Sequence, residues 1–506
     1  MSAFRRVLIA NRGEIAVRIV RTLHTMDIEA VTVYSDADVT WPHVAMADRA
    51  IRLRGIFPAE TYLNTNKIIE AAKISDCDAV HPGYGFLSES NEFSRACRDS
   101  GLKFIGPSPE TLLVSGNKLE CKRRAESAGV PVVPYTRESI SDVEEAVKFS
   151  NGIGFPVLLK SAFGGGGRGI REARNSEEVR ERFTSAQREA QASFGRFSIF
   201  IEKRLINPRH IEVQIIASDD SKEFVQLGER DCSIQRRYQK LIETSPSPVI
   251  DDEARRKLAS YAITTAKSAG YSNAGTVEFL RDSESGNFYF MEINSRLQVE
   301  HPVTELVTGM DIVKTQIQVA AENTIPFSQN EVTMKGCAIE CRINAEDVAQ
   351  NFLPTTGRID FIAIPGGPGI RVDTALQPGV EISPYYDSLV AKLLAFGENF
   401  DEARKRALVA LSEFTISGIE TTVPFHMAVL RNDRFARGEF DTGFLETTDL
   451  TKQLLPGLGD DQFIIAAYLV HSKSQLLEEG IKSRNTARDR PAWISSQKNG
   501  RFIDGL

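Results

Sequence analysis

The stretch Phe288-Tyr-Phe-Met-Glu-Ile-Asn-Ser-Arg-Leu-Gln-Val-Glu-His301 reads as a strand running into a charged loop. Alternation through its first half sets Phe288, Phe290, Glu292 and Asn294 on one predicted face, with Tyr289, Met291 and Ile293 on the other. A carboxylate and an amide thus emerge from an otherwise apolar strand. Arg296, Gln298 and Glu300 follow at alternate positions. Charges in such a segment are costly to bury unless a metal, an anion or each other balances them. The run has the character of an active site.

The preceding segment strengthens this reading. Gly275-Thr-Val-Glu-Phe-Leu-Arg281 is strand-like, and Asp282 to Asn287 has turn composition, so the two runs predict a hairpin. Glu278 then lies opposite or diagonal to Glu292. Two carboxylates and the Asn294 oxygen are hard ligands, suited to Mg²⁺ or Mn²⁺ bridging phosphate oxygens. The plainer reading is a pair of solvated surface acids. Phe288 and Phe290 on the same predicted face count against it.

Outward from this site, Arg6 to Ala10, Glu29 to Tyr34 and Cys77 to His81 read as strands, with helices at Gly13 to His24 and around Lys67 to Lys73. Such alternation predicts an α/β, doubly wound first domain over residues 1–115. Its Asn11-Arg-Gly and His81-Pro-Gly-Tyr-Gly-Phe-Leu-Ser-Glu loops fall at strand ends, where such sheets bind ligands. The first loop lacks the dinucleotide fingerprint.

Over 116–318 the pattern turns to antiparallel pieces with helices, giving an α+β character. Phe155-Pro-Val-Leu-Leu-Lys160 is a strand, followed by Ser-Ala-Phe-Gly-Gly-Gly-Gly-Arg-Gly169. A short strand comes next and the helix starts only near Ser176, so this is neither a dinucleotide loop nor a P-loop. A mobile hairpin lid fits better, its glycines bringing N–H groups close to phosphates; the alternative is a flexible linker. Residues 335–448 are β-rich, with a helix from Asp401 to Glu413. Cys337, Ile339 and Cys341 share one predicted strand face, so these thiols read as small buried hydrophobes; Glu340 and Arg342 point the other way. Residues 449–506 form an extension whose apolar run Phe463 to Val470 predicts a helix, packed on its own domain or docked on a partner.

With 42% hydrophobic and 25% charged residues over 506, the composition is that of a globular protein of about three domains. A net charge of −7 argues against a dedicated nucleic-acid binder. Six scattered cysteines favour a reducing compartment. No signal-peptide pattern and no apolar run near the roughly 20 residues of a membrane span is evident, so a cytoplasmic location is expected.

The chain resembles biotin carboxylase, the ATP-grasp component of biotin-dependent carboxylases, from residue 4 to about 447. Five ordered motifs carry the resemblance: Leu8-Ile-Ala-Asn-Arg-Gly-Glu-Ile-Ala16, His81 to Glu89, Gly164 to Gly169, Arg230-Asp-Cys-Ser-Ile-Gln-Arg-Arg237 and Glu292 to His301. The resemblance implies that carboxyphosphate forms from ATP and bicarbonate and that biotin on a separate carrier is then carboxylated. By position, Lys118, Lys160, Gly166 and Gly167 would hold the phosphates. Glu202, Lys203 and Leu205 would meet adenine, with His210 and Gln235 near the ribose. Tyr238 would also contact the nucleotide, although many relatives have His or Asn there. Glu278, Glu292 and Asn294 match metal ligands. Lys240, Arg296, Gln298 and Val299 match the bicarbonate pocket, Glu300 the base and Arg342 the group that stabilises the biotin enolate.

The chain lacks Ala-Met-Lys-Met; its one Met-Lys is Met334-Lys335, so it is expected to carry no biotin of its own. Expected partners are a second copy of the chain, a biotin carboxyl carrier protein and a carboxyltransferase subunit. An acyl-CoA carboxylase is favoured over a pyruvate carboxylase as the parent assembly. The competing readings are an ATP-grasp ligase for another acid and a non-catalytic nucleotide-binding subunit. The first would lack Arg296, Gln298 and Glu300 in this arrangement, and the second has no need of the full catalytic set.

Overall fold

A computed structural model describes residues 4–162, 170–194, 199–220 and 222–450, and the backbone of Phe502–Ile503. The expected lid Gly164 to Gly169, with Gly166 and Gly167, lies outside these residues, as does the run Phe463 to Val470.

Arg6–Ile9 pairs in parallel with Glu29–Tyr34 on one side and Ala79–His81 on the other. Arg49–Arg52 and Lys103–Phe104 extend the sheet outward, and the Phe502–Ile503 backbone adds beside Arg49–Arg52. Helix Gly13–Thr25 shares a core with Val7 and Ile9 through Ile15, Ile19 and Leu23. Helices Thr65–Ile74 and Asn91–Asp99 cover the opposite face, where Ile68, Phe93 and Cys97 join Leu8, Val31 and Val33. Burial on both faces explains the uninterrupted apolar strands and gives the doubly wound form expected. Strand order reverses beside Arg6–Ile9, so Asn11 and the His81–Glu89 loop meet at the switch-point crevice. Asn11 closes it, its Nδ2 donating to the carbonyls of Pro82 at 2.7 Å and Tyr84 at 2.8 Å.

An eight-stranded antiparallel sheet follows, in the order Phe288–Asn294, Asn273–Arg281, Arg209–Ala217, Phe224–Arg236, Gln239–Ser245, Cys337–Asn344, Leu389–Gly397 and Ile370–Thr374. Main-chain pairing of Gln239–Ser245 with Cys337–Asn344 carries it from the expected central region into the C-terminal one. Cys337, Ile339, Cys341 and Ile343 lie in one core with Leu393 and Ala403, as read from the sequence. All six thiols are free, and burial pushes Cys337 up to about 12. Among the described residues no helix is long and apolar enough to cross a membrane.

The expected hairpin is present, with Glu278 directly opposite Glu292. The expected facing is not. Phe279 pairs with Phe290 and Glu278 with Glu292, so Met291 is an extra residue that bulges the strand. The bulge resets the alternation: Phe288, Phe290 and Ile293 all enter the core with Val277 and Phe279. Glu292 and Asn294 therefore emerge on the opposite face, and the phenylalanines do not neighbour them. Pro131 anchors the bulge by accepting the Phe290 N–H at 2.8 Å.

Val157–Ser161 pairs antiparallel with Arg171–Ala173 and with Ile199–Lys203, the hairpin expected to flank the glycines.

Candidate active site

Register builds the site. Glu292, Glu278, Glu212 and Arg230 lie directly opposite one another across four neighbouring strands. Three carboxylates in a row repel unless cations intervene. Lys118 Nζ lies 2.6 Å from Glu292. Arg230 is wholly buried; it donates to Glu212 at 2.5 Å and to Gln214, Thr276 and Thr304. Lys240, from the next strand, donates to Glu212 at 2.5 Å, Glu278 at 2.8 Å and Glu300 at 2.7 Å. His210 Nε2 lies 3.0 Å from the other Glu278 oxygen. Burial pushes the Glu212 carboxyl up. Burial opposes Glu278 too, yet Lys240 and His210 hold it well below the usual carboxylate range. The clusters His210–Glu212–Glu278 and Glu212–Cys232–Glu300 resemble cation sites, and the Lys240 ammonium supplies the balancing charge for their carboxylates.

The segment after Asn294 is a loop, and Glu300 is the residue at which helix His301–Thr308 begins. Arg296 spans its neighbours, donating to Gln298 Oε1 at 2.8 Å and Glu89 Oε2 at 3.2 Å. Gln298 Nε2 lies 3.4 Å from Glu278. Arg342 donates to Glu300 at 2.8 Å and to Glu243 at 2.5 Å. Glu300 is thus a fully buried carboxylate between two cations. Burial disfavours its charge, but Lys240, Arg342 and Arg230 overcome that and hold it well below the ordinary range. Burial dominates at Glu243, pushed up to about 7.

On the Val157–Ser161 and Ile199–Lys203 strands, the Glu202 carboxylate sits between Lys160 and Lys122, the latter at 3.0 Å. Lys203 Nζ donates to the carbonyls of Gly154 and Phe155. These side chains are occupied, and Leu205 beside them is half-buried. Gln235 pairs with Lys240 next to the hairpin turn. That turn is Arg237-Tyr238, both with left-handed φ, and it leaves Tyr238 exposed.

Burial opposes ionised Glu202, but Lys122 and Lys160 hold it at about 2. Lys122 is itself pushed down, because burial outweighs the carboxylate it shares. A carboxyl lowered in the folded state stabilises above its unfolded pKa and stops doing so as pH falls through the folded value. Glu202→Gln is therefore expected to cost about 3 kcal/mol at neutral pH. Urea unfolding should show that gap closing as pH drops from 4.5 toward about 2.

Sequence reading did not single out Glu212, Arg230, Glu243, Lys122, Lys392 or Glu89. Three of them show the signal that exposed Glu292, a charge within an apolar strand: Ile211-Glu-Val, Leu241-Ile-Glu and Ala391-Lys-Leu. Glu278, Glu292 and Asn294 form an all-oxygen donor set on adjacent strands, with Glu292 on the more open side. That chemistry fits a hard divalent cation.

Residues 3–112 match the family described as biotin carboxylase, N-terminal domain; 117–327 match the carbamoyl-phosphate synthase L chain, ATP binding domain; and 340–447 match the biotin carboxylase C-terminal domain. Biotin carboxylase 1 of Bacillus subtilis is 48% identical over 446 residues, covering 88% of this chain and 99% of that protein. A pyruvate carboxylase subunit of Methanothermobacter thermautotrophicus is 44% identical over 88% of this chain and 90% of its own length. The biotin carboxylase domain dimer of Hydrogenobacter thermophilus 2-oxoglutarate carboxylase, solved with MgADP, ADP and bicarbonate, superposes with a TM-score of 0.85 at 46% identity, covering 88% of this chain and 97% of that one. A chain that matches these regions in order, and nearly the whole length of such relatives, belongs to the biotin carboxylase family.

Proposed function

We propose that this chain carboxylates biotin on a separate carrier protein, using ATP and bicarbonate through carboxyphosphate. The observation that carries this reading is Glu300, a buried carboxylate gripped by Lys240 on the metal side and by Arg342 on the other. A carboxylate so stabilised is a poor base alone. It becomes basic when an arriving anion shares its cations, so deprotonation waits for substrate.

Arg296, Gln298, Val299 and Lys240 hold bicarbonate, the arginine through paired charge-assisted hydrogen bonds. Glu300 removes its proton for attack on the γ-phosphate. Lys118, Lys160 and the Gly166–Gly167 segment hold the phosphates, His210 and Gln235 the ribose, and the Glu202–Leu205 main chain the adenine, beside Tyr238. Glu278, Glu292 and Asn294 would hold Mg²⁺ or Mn²⁺, which when bound neutralises phosphate charge. Carboxyphosphate then yields carbon dioxide and phosphate, the phosphate takes the biotin ureido proton, and Arg342 stabilises the resulting enolate, which takes up the carbon dioxide.

The natural partners are a second copy of this chain, a biotin carrier and a carboxyltransferase subunit; the dimer named for the Hydrogenobacter domain supports the first. Relatives named as pyruvate and 2-oxoglutarate carboxylase subunits match about as well as those named biotin carboxylase. The final acceptor is thus a property of the carboxyltransferase rather than of this site. Spans of 1–115, 116–318 and 335–448 as working domains remain part of the proposal.

The test is steady-state ATP hydrolysis. Bicarbonate and free biotin together should raise the rate at least tenfold over either alone. No response to the pair, with stimulation by another acid, would favour a different ATP-grasp ligase.

A further inference from the structure

The Gln298–Glu300 turn is held from behind by groups to which the reaction assigns no task. Lys392, wholly buried on Leu389–Gly397, lies directly opposite Arg342 in register. Two cations facing each other across a sheet are unfavourable without compensation. They reach consecutive residues of the turn: Arg342 takes the Glu300 carboxylate at 2.8 Å, and Lys392 Nζ donates to the Val299 carbonyl at 3.1 Å. His301 Nδ1 meets the Gln298 carbonyl at 2.8 Å. The compensating charge for Lys392 comes from Glu14 at 3.2 Å and Asp373 at 3.8 Å. Glu14 lies in the first turn of helix Gly13–Thr25, directly after the Asn11 crevice loop, and also accepts from the Tyr84 hydroxyl of the second switch-point loop.

Because the peptide unit is planar, a held Val299 carbonyl fixes the plane that leads into Glu300. A held Gln298 carbonyl likewise fixes the direction of the Val299 N–H. We propose that Lys392 is a positioning residue that orients the bicarbonate-holding turn and its base, and that Glu14 of the N-terminal crevice anchors it there. The crevice loops, which lie where a doubly wound sheet commonly binds a ligand, here brace the active site of a neighbouring region. This inference rests on the bicarbonate reading of Gln298, Val299 and Glu300.

Lys392→Met keeps the length of the stem and removes the ammonium. Glu14, with its carboxyl already pushed up to about 7 by burial, can take up a proton, so no charge is stranded. In bicarbonate-dependent ATP hydrolysis with free biotin, the full-length Lys392→Met variant should raise the KM for bicarbonate at least tenfold and leave the KM for ATP within twofold. Lys392→Arg should recover most of that loss. Equal movement of both KM values, or of neither, overturns the proposal. Should Lys392→Met fail to fold, Glu14→Gln carries the test: a threefold or larger rise in bicarbonate KM alone supports it, and an unchanged bicarbonate KM overturns it. A wild-type rate indifferent to bicarbonate would instead sink the assigned reaction, which keeps the two failures apart.

Discussion

Glu300→Gln is expected to leave ATP affinity within twofold while lowering bicarbonate-dependent ATP turnover by roughly 10²–10⁴-fold, the range a positioned general base supplies. The amide preserves shape but cannot take the bicarbonate proton. The fold should tolerate it, because Lys240 keeps Glu212 and Glu278 and Arg342 keeps Glu243. Nucleotide titration by calorimetry, together with a coupled assay for ADP, separates the two quantities. Turnover near wild type would remove Glu300 from the chemistry and leave it a structural counter-ion for Lys240.

The second large effect is expected at Arg342. Arg342→Ser removes the donor we propose for the developing enolate, so carboxylation of biotin should fall by about 10²–10³-fold, the usual cost of losing one such donor. ATP binding should hold, since Arg342 contacts none of Lys118, Lys160 or Glu292. The variant loses a buried cation, but Glu243 already sits at about 7 and can protonate in response. Carboxybiotin formation followed with labelled bicarbonate, beside ATP affinity, gives the readout. Equal losses in both would make Arg342 a structural tie between Glu243 and Glu300.

Much of the site was legible because a buried charge is expensive and shows as an anomaly in an apolar run. Glu292, Asn294, Glu278 and Arg342 all stand out in this way, and the strand pairing put Glu278 opposite Glu292 as expected. Glu212 and Lys392 carry the same mark, but one charge in a strand is ambiguous until its neighbours across the sheet are known. The facing of Glu292 departs from the period-two expectation for a different reason. Period-two alternation assumes one residue per partner, and the extra residue at Met291 shifts every later side chain to the other face.

The sequence by itself determined the doubly wound first region, the hairpin and the residue types that can handle a metal, an anion and a proton. All of these follow from local period, composition and motif. Only the tertiary structure decided what those residues do to one another. Register aligned Glu292, Glu278, Glu212 and Arg230 into one row, and that row drew Lys240 among three carboxylates. A sheet continuous with the C-terminal strands brought Arg342 and Lys392 to the Val299–Glu300 turn. The reason is physical: the interaction energy of charges depends on separation and burial, and neither quantity is a property of residues distant in sequence until the chain has folded.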